Sequence, residues 1–260
     1  MTALLAGFLI WASAAKPQAA QGLKPGNLVP NGGFEKGSKG VPASWQRPDG
    51  LTSFWVPAPK RKGRCLKIDT DVLKEQYRER QKELKKRPVP PPPEKKSTAG
   101  KKYSTVAAVE GVAFYSDWIP VKPGVAYELL VDVRTERGSK APKVFVKGYV
   151  EDPRRPPGYR RRVAYKKYLT CKASPSWRTF SMTFHPTART PRVKWIRVML
   201  FAYWPPGVYY FDNVVVRPAV DVQEKGGESG KGEGGKKRSK KKPGPEKKAP
   251  ESKGFREIGS

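Results

Sequence analysis

One histidine, His185, and two cysteines, Cys65 and Cys171, are all that 260 residues offer of those types. That excludes a histidine metal cluster, and two cysteines are too few to hold zinc by themselves. Ser-His-Asp chemistry would have only His185 to draw on, and His185 stands at a strand end before Pro186. Acidic residues are scarce beside basic ones, 23 against 53, and the formal charge is +30. The apolar run at the start, residues 1–15, is too short to cross a bilayer, which takes roughly 20 residues.

What is present begins with the charge. The last forty residues, 221–260, hold twelve basic and seven acidic side chains, so +5 of the +30 lies there and +25 in the rest. Such a field attracts polyanions: nucleic acid, acidic polysaccharide or an anionic membrane surface. Residues 1–15 end in Ala12-Ser13-Ala14, the small-residue pattern of a signal peptide, although no basic residue precedes the apolar run. The reading is export, to the cell envelope or beyond, with a linker at residues 16–25. Residues 219–260 are Lys, Gly, Glu, Ser and Pro with few large apolar side chains. Such a segment cannot offset its ordering entropy by burial, so a disordered basic tail is expected, able to tether the chain to an anionic surface.

Between linker and tail, short runs alternate apolar and polar residues, separated by turns rich in Pro and Gly. Tyr127, Leu129, Val131 and Val133 form one inward set, and Phe180, Met182 and Phe184 another. Many short strands and few helices point to an all-β sandwich. Residues 71–102 break the pattern: a charged, helix-permissive stretch capped by Asp71, then Pro88 and the run Pro90 to Pro93, then a polar segment expected to be mobile. They read as an insertion between strands. Residues 103–118 read as one further apolar, β-rich run.

Two strands carry chemistry. Residues 195–203 place Ile196, Val198, Leu200 and Ala202 on one face and Trp195, Arg197, Met199, Phe201 and Tyr203 on the other. Residues 143–150 do the same, with Phe145, Lys147 and Tyr149 opposite Val144, Val146 and Val150. Flat rings that pack on a pyranose, beside polar groups that meet its hydroxyls, suit sugar recognition. The candidate ligand residues are Trp195, Arg197, Phe201, Tyr203, Phe145, Lys147, Tyr149 and Arg134. Convergence requires the strands to share a sheet. One alternative is that Leu73 and Tyr77 of the insertion cover the face, which would make this a structural or interaction domain. Another is single-stranded nucleic acid, whose bases stack on rings while phosphates meet Lys and Arg. Glycoside hydrolysis would need paired carboxyls, for which Glu128, Asp132 and Glu151 are the candidates, but nothing marks them as catalytic. The favoured reading is not an enzyme.

Several pieces in order resemble one family. They are Asn27-Leu-Val-Pro-Asn-Gly-Gly-Phe-Glu35, then Pro42-Ala-Ser-Trp45, then Ile119-Pro-Val-Lys-Pro-Gly-Val-Ala-Tyr-Glu-Leu129, then Trp177-Arg-Thr-Phe180, and last Val208-Tyr-Tyr-Phe-Asp-Asn-Val-Val-Val216. This resembles the carbohydrate-binding modules of the galactose-binding-domain-like jelly roll, the xylan- and glucan-binding kind, over residues 26–218. The resemblance implies a two-sheet sandwich whose ends meet, a polysaccharide partner and a structural calcium, with Glu35 and Asp212 as the matching carboxylates. Cys65 and Cys171 both fall in strand-like runs. In an exported chain they would be either a disulfide or two buried thiols, depending on their Cα separation.

Overall fold

A computed structural model describes residues 26–136, 140–156, 158 and 160–219. The signal peptide at 1–15, the linker at 16–25 and the tail from residue 220 lie outside the described residues. Strands in chain order are β1 (Gly37–Ser38), β2 (Val41–Pro42), β3 (Ser53–Pro57), β4 (Arg64–Asp69), β5 (Val112–Tyr115), β6 (Ile119–Pro120), β7 (Tyr127–Thr135), β8 (Lys143–Glu151), β9 (Arg161–Thr170), β10 (Arg178–Phe184), β11 (Trp195–Ala202) and β12 (Val208–Pro218). Between β4 and β5 come helix α1 (Lys74–Glu83), a 3-10 turn (Lys102–Ser104) and the short helix α2 (Val106–Val109).

The strands form two main antiparallel sheets. The first runs β10-β7-β12-β4-β3, and the second runs β5-β11-β8-β9 with β6 also on β11. The expected alternation decides what lies between them. Leu129, Val131 and Val133 of β7 and Phe211 of β12 face Val144, Val146, Ile196, Val198 and Leu200 in one buried cluster. Fully burying each such side chain contributes about 1.5–3 kcal/mol. The chain is therefore the all-β sandwich that the alternation predicts.

The opening and closing segments meet through one side chain. Asn27 donates from Nδ2 to the Val214 carbonyl at 2.9 Å, and its Oδ1 accepts from the Val216 amide at 3.0 Å. The Leu28 amide donates to the Val216 carbonyl at 2.7 Å. Asn27 thus extends the β12 ladder where the first strand-like residues arrive.

The insertion departs from expectation in three ways. Helix α1 begins at Lys74 after Leu73, with no side-chain cap. Asp71 instead accepts the Thr98 hydroxyl at 2.6 Å. The helix docks by polar side chains, Gln76 and Arg80, both buried. Arg80 donates from Nε to the Asp49 carbonyl at 2.7 Å and from Nη1 to the Pro90 carbonyl at 2.9 Å. Gln76 donates to the Glu94 carbonyl at 2.5 Å and accepts from the Lys96 amide at 3.2 Å. The segment after the prolines is thereby fastened to the helix. Residues 103–118 are not one strand, because the Val106 amide is taken by the Val72 carbonyl at 2.8 Å and a turn of helix forms there. Tertiary pairing overrides β propensity.

Candidate functional site

The outward face of the second sheet follows from register. Trp195 pairs with Tyr149, Arg197 with Lys147, and Met199 with Phe145. Directly paired residues point to the same side, so β8 and β11 pool their aromatic and basic sets. On the outer edges, Tyr115 of β5 pairs with Met199, and Tyr168 of β9 pairs with Phe145. Opposite Gly148 and Tyr149, the β9 partner jumps from Tyr165 to Val163. This bulge keeps Lys166 and Tyr168 on the same side as Val163 and Arg161 despite the change of parity.

Rings and cations then interleave. Phe145 meets Tyr168 at 5.2 Å and Phe201 at 5.8 Å, and Phe201 stacks on Tyr203 at 5.7 Å. Tyr149 meets Trp118 edge-on at 4.8 Å. The Lys143 ammonium stands over Tyr168 and Tyr203, and the Arg161 guanidinium over Trp118 and Trp195. Arg197 lies over Tyr115 and Trp118 while donating from Nε to the Ser116 carbonyl at 2.7 Å. Lys147 donates to the Tyr115 hydroxyl at 2.9 Å. Phe145 and Tyr149, each 9% exposed, form the floor, and Tyr168, 51% exposed, stands above it.

The charge on this face is unbalanced. Among the described residues, none of Lys143, Lys147, Arg161, Lys166 and Arg197 forms an ion pair with a carboxylate. Glu151, at the end of β8, is already engaged by Lys194 at 3.3 Å. Burial pulls the Arg197 pKa down from its ordinary value, against the charges of Tyr149, Tyr115 and Asp117. A guanidinium has ample margin to remain charged. The ring contacts around Phe145 come from β9 and β11, while Tyr77 of the insertion packs against the main core.

Sequence reasoning placed Trp195, Arg197, Phe201, Tyr203, Phe145, Lys147 and Tyr149 together, and the structure brings them together. Arg134 is not among them. It lies on β7, in the other sheet, over Tyr210 at 5.2 Å and donating to the Pro175 carbonyl at 2.9 Å. Trp118, Tyr115, Arg161, Lys166 and Tyr168 belong to the face and were missed. The carboxylates Glu128 and Asp132 also lie on β7, and each is held by an arginine.

The residues matched to a calcium site, Glu35 and Asp212, already have partners within the chain, and the Glu35 charge acts on Asp212. Asp212 and Asp132 face one another across β12 and β7. Arg61 spans both, bonding Asp132 Oδ2 at 2.9 Å and Asp212 Oδ2, and its guanidinium lies 3.7 Å from the Trp177 ring centroid. The other Asp212 oxygen accepts the Asn213 amide at 2.7 Å, and Glu35 accepts the Arg64 amide at 3.2 Å. Among the described residues no group of three acidic, histidine or cysteine side chains could hold a metal. A guanidinium occupies the position between Asp132 and Asp212.

The disulfide is not formed. Cys65 lies under Trp177 and Tyr210 on the outer side of the first sheet, whereas Cys171 belongs to the core between the sheets. Burial pushes both thiols up to about 12, so both are inert at neutral pH.

No family model matches the chain, and no curated protein matches it. Solved structures similar to it include a family 16 carbohydrate-binding module, 15% identical, covering 73% of this chain and 99% of that one, TM-score 0.43. Another is the CBM22-1 xylan-binding domain of Xyn10C from Paenibacillus barcinonensis, 9% identical, covering 76% and 97%, TM-score 0.40. A third, titled a putative sugar binding protein, from Bacteroides thetaiotaomicron, is 11% identical, covering 75% and 100%, TM-score 0.45. What this chain binds has to be read from its own residues. No helix among those described is long and apolar enough to cross a membrane.

Proposed function

We propose that this chain is an exported, non-catalytic module that binds an acidic polysaccharide on the outward face of its second sheet. The observation that carries the reading is the set of cations interleaved with rings and unmatched by acids. Aromatic faces pack on pyranose rings through their apolar C–H surfaces. Neutral hydroxyls would leave the lysines and arginines without counter-charge, whereas the carboxylates of a uronic acid polymer would pair with them. Export is supported by the apolar leader at residues 1–15, and the sugar class by the family-like segments at both ends of the sandwich. A non-catalytic role is supported by Glu128, Asp132 and Glu151, each already engaged by a cation.

Affinity electrophoresis against polygalacturonate, glucuronoxylan and unsubstituted xylan tests the reading. Retardation by the two acidic polymers is expected, weakened about tenfold, or about 1.4 kcal/mol, in Tyr168→Ala and Trp195→Ala. No retardation by any polymer, or retardation indifferent to both substitutions, would sink it. Tighter binding of a thymidine oligonucleotide, lost steeply with salt, would replace it with nucleic-acid binding.

A further inference from the structure

At the Tyr203 end of the face, the chain passes into the turn Trp204-Pro205-Pro206-Gly207, and the insertion arrives beside it. Tyr103 stacks on Trp204, ring centroids 5.1 Å apart and planes within 13°. Tyr103 is 81% exposed, the most exposed large hydrophobic side chain among the described residues. Beside Trp204 lies a pocket of about 420 Å³ lined by Trp204, Pro205 and Pro206 of the turn and by Asp71, Thr98 and Lys102 of the insertion. That volume falls within the range of small-ligand sites, roughly 300–1,000 Å³.

The pocket is held in shape from behind. Thr70 and Gly207 exchange hydrogen bonds, the Thr70 amide donating to the Gly207 carbonyl at 2.9 Å and the Gly207 amide to the Thr70 hydroxyl at 3.0 Å. The Tyr209 hydroxyl meets the Tyr203 and Pro205 carbonyls at 3.3 and 3.2 Å. Opposite, Asp71 and Thr98 are bonded to each other. The turn and the insertion wall are thus fixed without a ligand. Preorganisation of this kind lowers the ordering cost of binding.

We propose that this pocket is an end subsite for the same polysaccharide, taking one further pyranose residue beyond the sheet. The proposal rests on the reading of the second sheet as the polysaccharide face. The lining matches the chemistry of a sugar: the Trp204 ring backed by Tyr103, a proline wall, and a carboxylate, a hydroxyl and an ammonium to meet hydroxyl or carboxylate groups. The face and the pocket are neighbours along the chain, since Phe201 and Tyr203 stack together on the face and Trp204 opens the turn that follows. β11 and its turn span about 30 Å at roughly 3.4 Å per residue, so a polymer can occupy both ends while a short fragment cannot. The insertion would therefore lengthen the binding surface instead of covering it.

The test titrates polygalacturonate into the full chain, Tyr168→Ala and Tyr103→Ala, with 5-fluorotryptophan incorporated and the Trp204 resonance assigned through Trp204→Phe. Tyr103→Ala removes an exposed ring, so an unchanged Tm is expected, together with affinity about fivefold lower, or about 1 kcal/mol. The Trp204 signal should move on adding polymer. Wild-type affinity in Tyr103→Ala with an unmoved Trp204 signal overturns the proposal. If Tyr168→Ala binds like wild type while Tyr103→Ala is weakened, the sheet reading fails and with it the assignment of the pocket as an end subsite. If the chain binds none of polygalacturonate, glucuronoxylan and xylan, both are overturned.

Discussion

The outer faces of the two sheets are built from the same residue types. On the first, Arg61 lies over Trp177, Arg134 over Tyr210 and Lys67 over Phe54. On the second, Arg161 lies over Trp195, Arg197 over Tyr115 and Lys143 over Tyr168. The difference is in the acids. The first sheet matches Arg61 with Asp132 and Asp212, Arg217 with Glu128, and the Tyr210 hydroxyl with Glu136 at 2.6 Å, and leaves Arg134 and Lys67 without an ion pair among the described residues. On the second, among the described residues, Lys194 has such a partner in Glu151, while Lys143, Lys147, Arg161, Lys166 and Arg197 have none. Cation–ring stacking alone therefore does not distinguish a closed surface from one that asks for a ligand. Where the carboxylates stand distinguishes them, because a cation that already has an anion gains little from another.

The strongest way to break this contrast is to open the closed side. Arg61→Ala leaves Asp212 buried without its partner, which should cost about 3 kcal/mol in urea unfolding. Arg61→Lys should recover only part, since an ammonium cannot fork between two carboxylates as a guanidinium does. In the unaltered protein EDTA should leave the Tm unchanged, since Arg61 already spans Asp132 and Asp212. An Arg61→Ala variant as stable as the parent would show that the network is not what holds this face. A smaller effect is expected from neutralising the open side. Lys143→Gln with Lys166→Gln should weaken binding of an acidic polysaccharide about tenfold, or about 1.4 kcal/mol, with little change in Tm. Arg217→Gln, on the closed side, should leave binding as it was. Equal losses from both sides would mean that net charge, and not the placement of acids, governs binding.

Much of this contrast was legible in the sequence, and the missing parts have physical causes. The period of two in β8 and β11 is local, so it reveals which residues share a face of each strand. Which strands share a sheet is not local: β7 alternates as cleanly as β8, and Arg134 was assigned to the wrong surface for that reason. The β9 members were hidden by the bulge opposite Tyr149, which shifts Lys166 and Tyr168 relative to Arg161 and erases the alternation. Tyr115 and Trp118 lay in a run read as one strand, but Val72 captures the Val106 amide and turns the chain there. The insertion's polar docking was illegible as well, because Arg80 and Gln76 bond to backbone carbonyls and leave no pattern of apolar positions to follow.

The finest distinction lies within the closed network. Burial is the largest influence on both carboxyls. It pushes Asp212 up to about 6, against the Asn213 amide and Arg61, which act to lower it. At Asp132, hydrogen bonds from Thr179, Asn213 and Arg61, with the Arg61 charge, outweigh burial and hold the carboxyl below its ordinary value. The two signs are opposite. An unfolded aspartate titrates near 3.9, so between about pH 4 and 6 the folded chain retains a proton on Asp212 that the unfolded chain has lost. The Asp212 contribution to stability therefore falls as pH rises through that window. The Asp132 contribution is present above about pH 4 and is lost as pH falls through its lowered folded value. Asp212→Asn cannot ionise, so its Tm should improve relative to the parent as the pH rises from 4 to 7, by less than the change caused by losing Arg61. This agrees with the large cost of Arg61→Ala, since a buried ion pair can be near neutral in net stability while removal of one partner is expensive. A variant that loses ground as the pH rises would mean that the ionised Asp212–Arg61 pair is net stabilising. The carboxyl would then lie below its ordinary value, and the two aspartates would act alike.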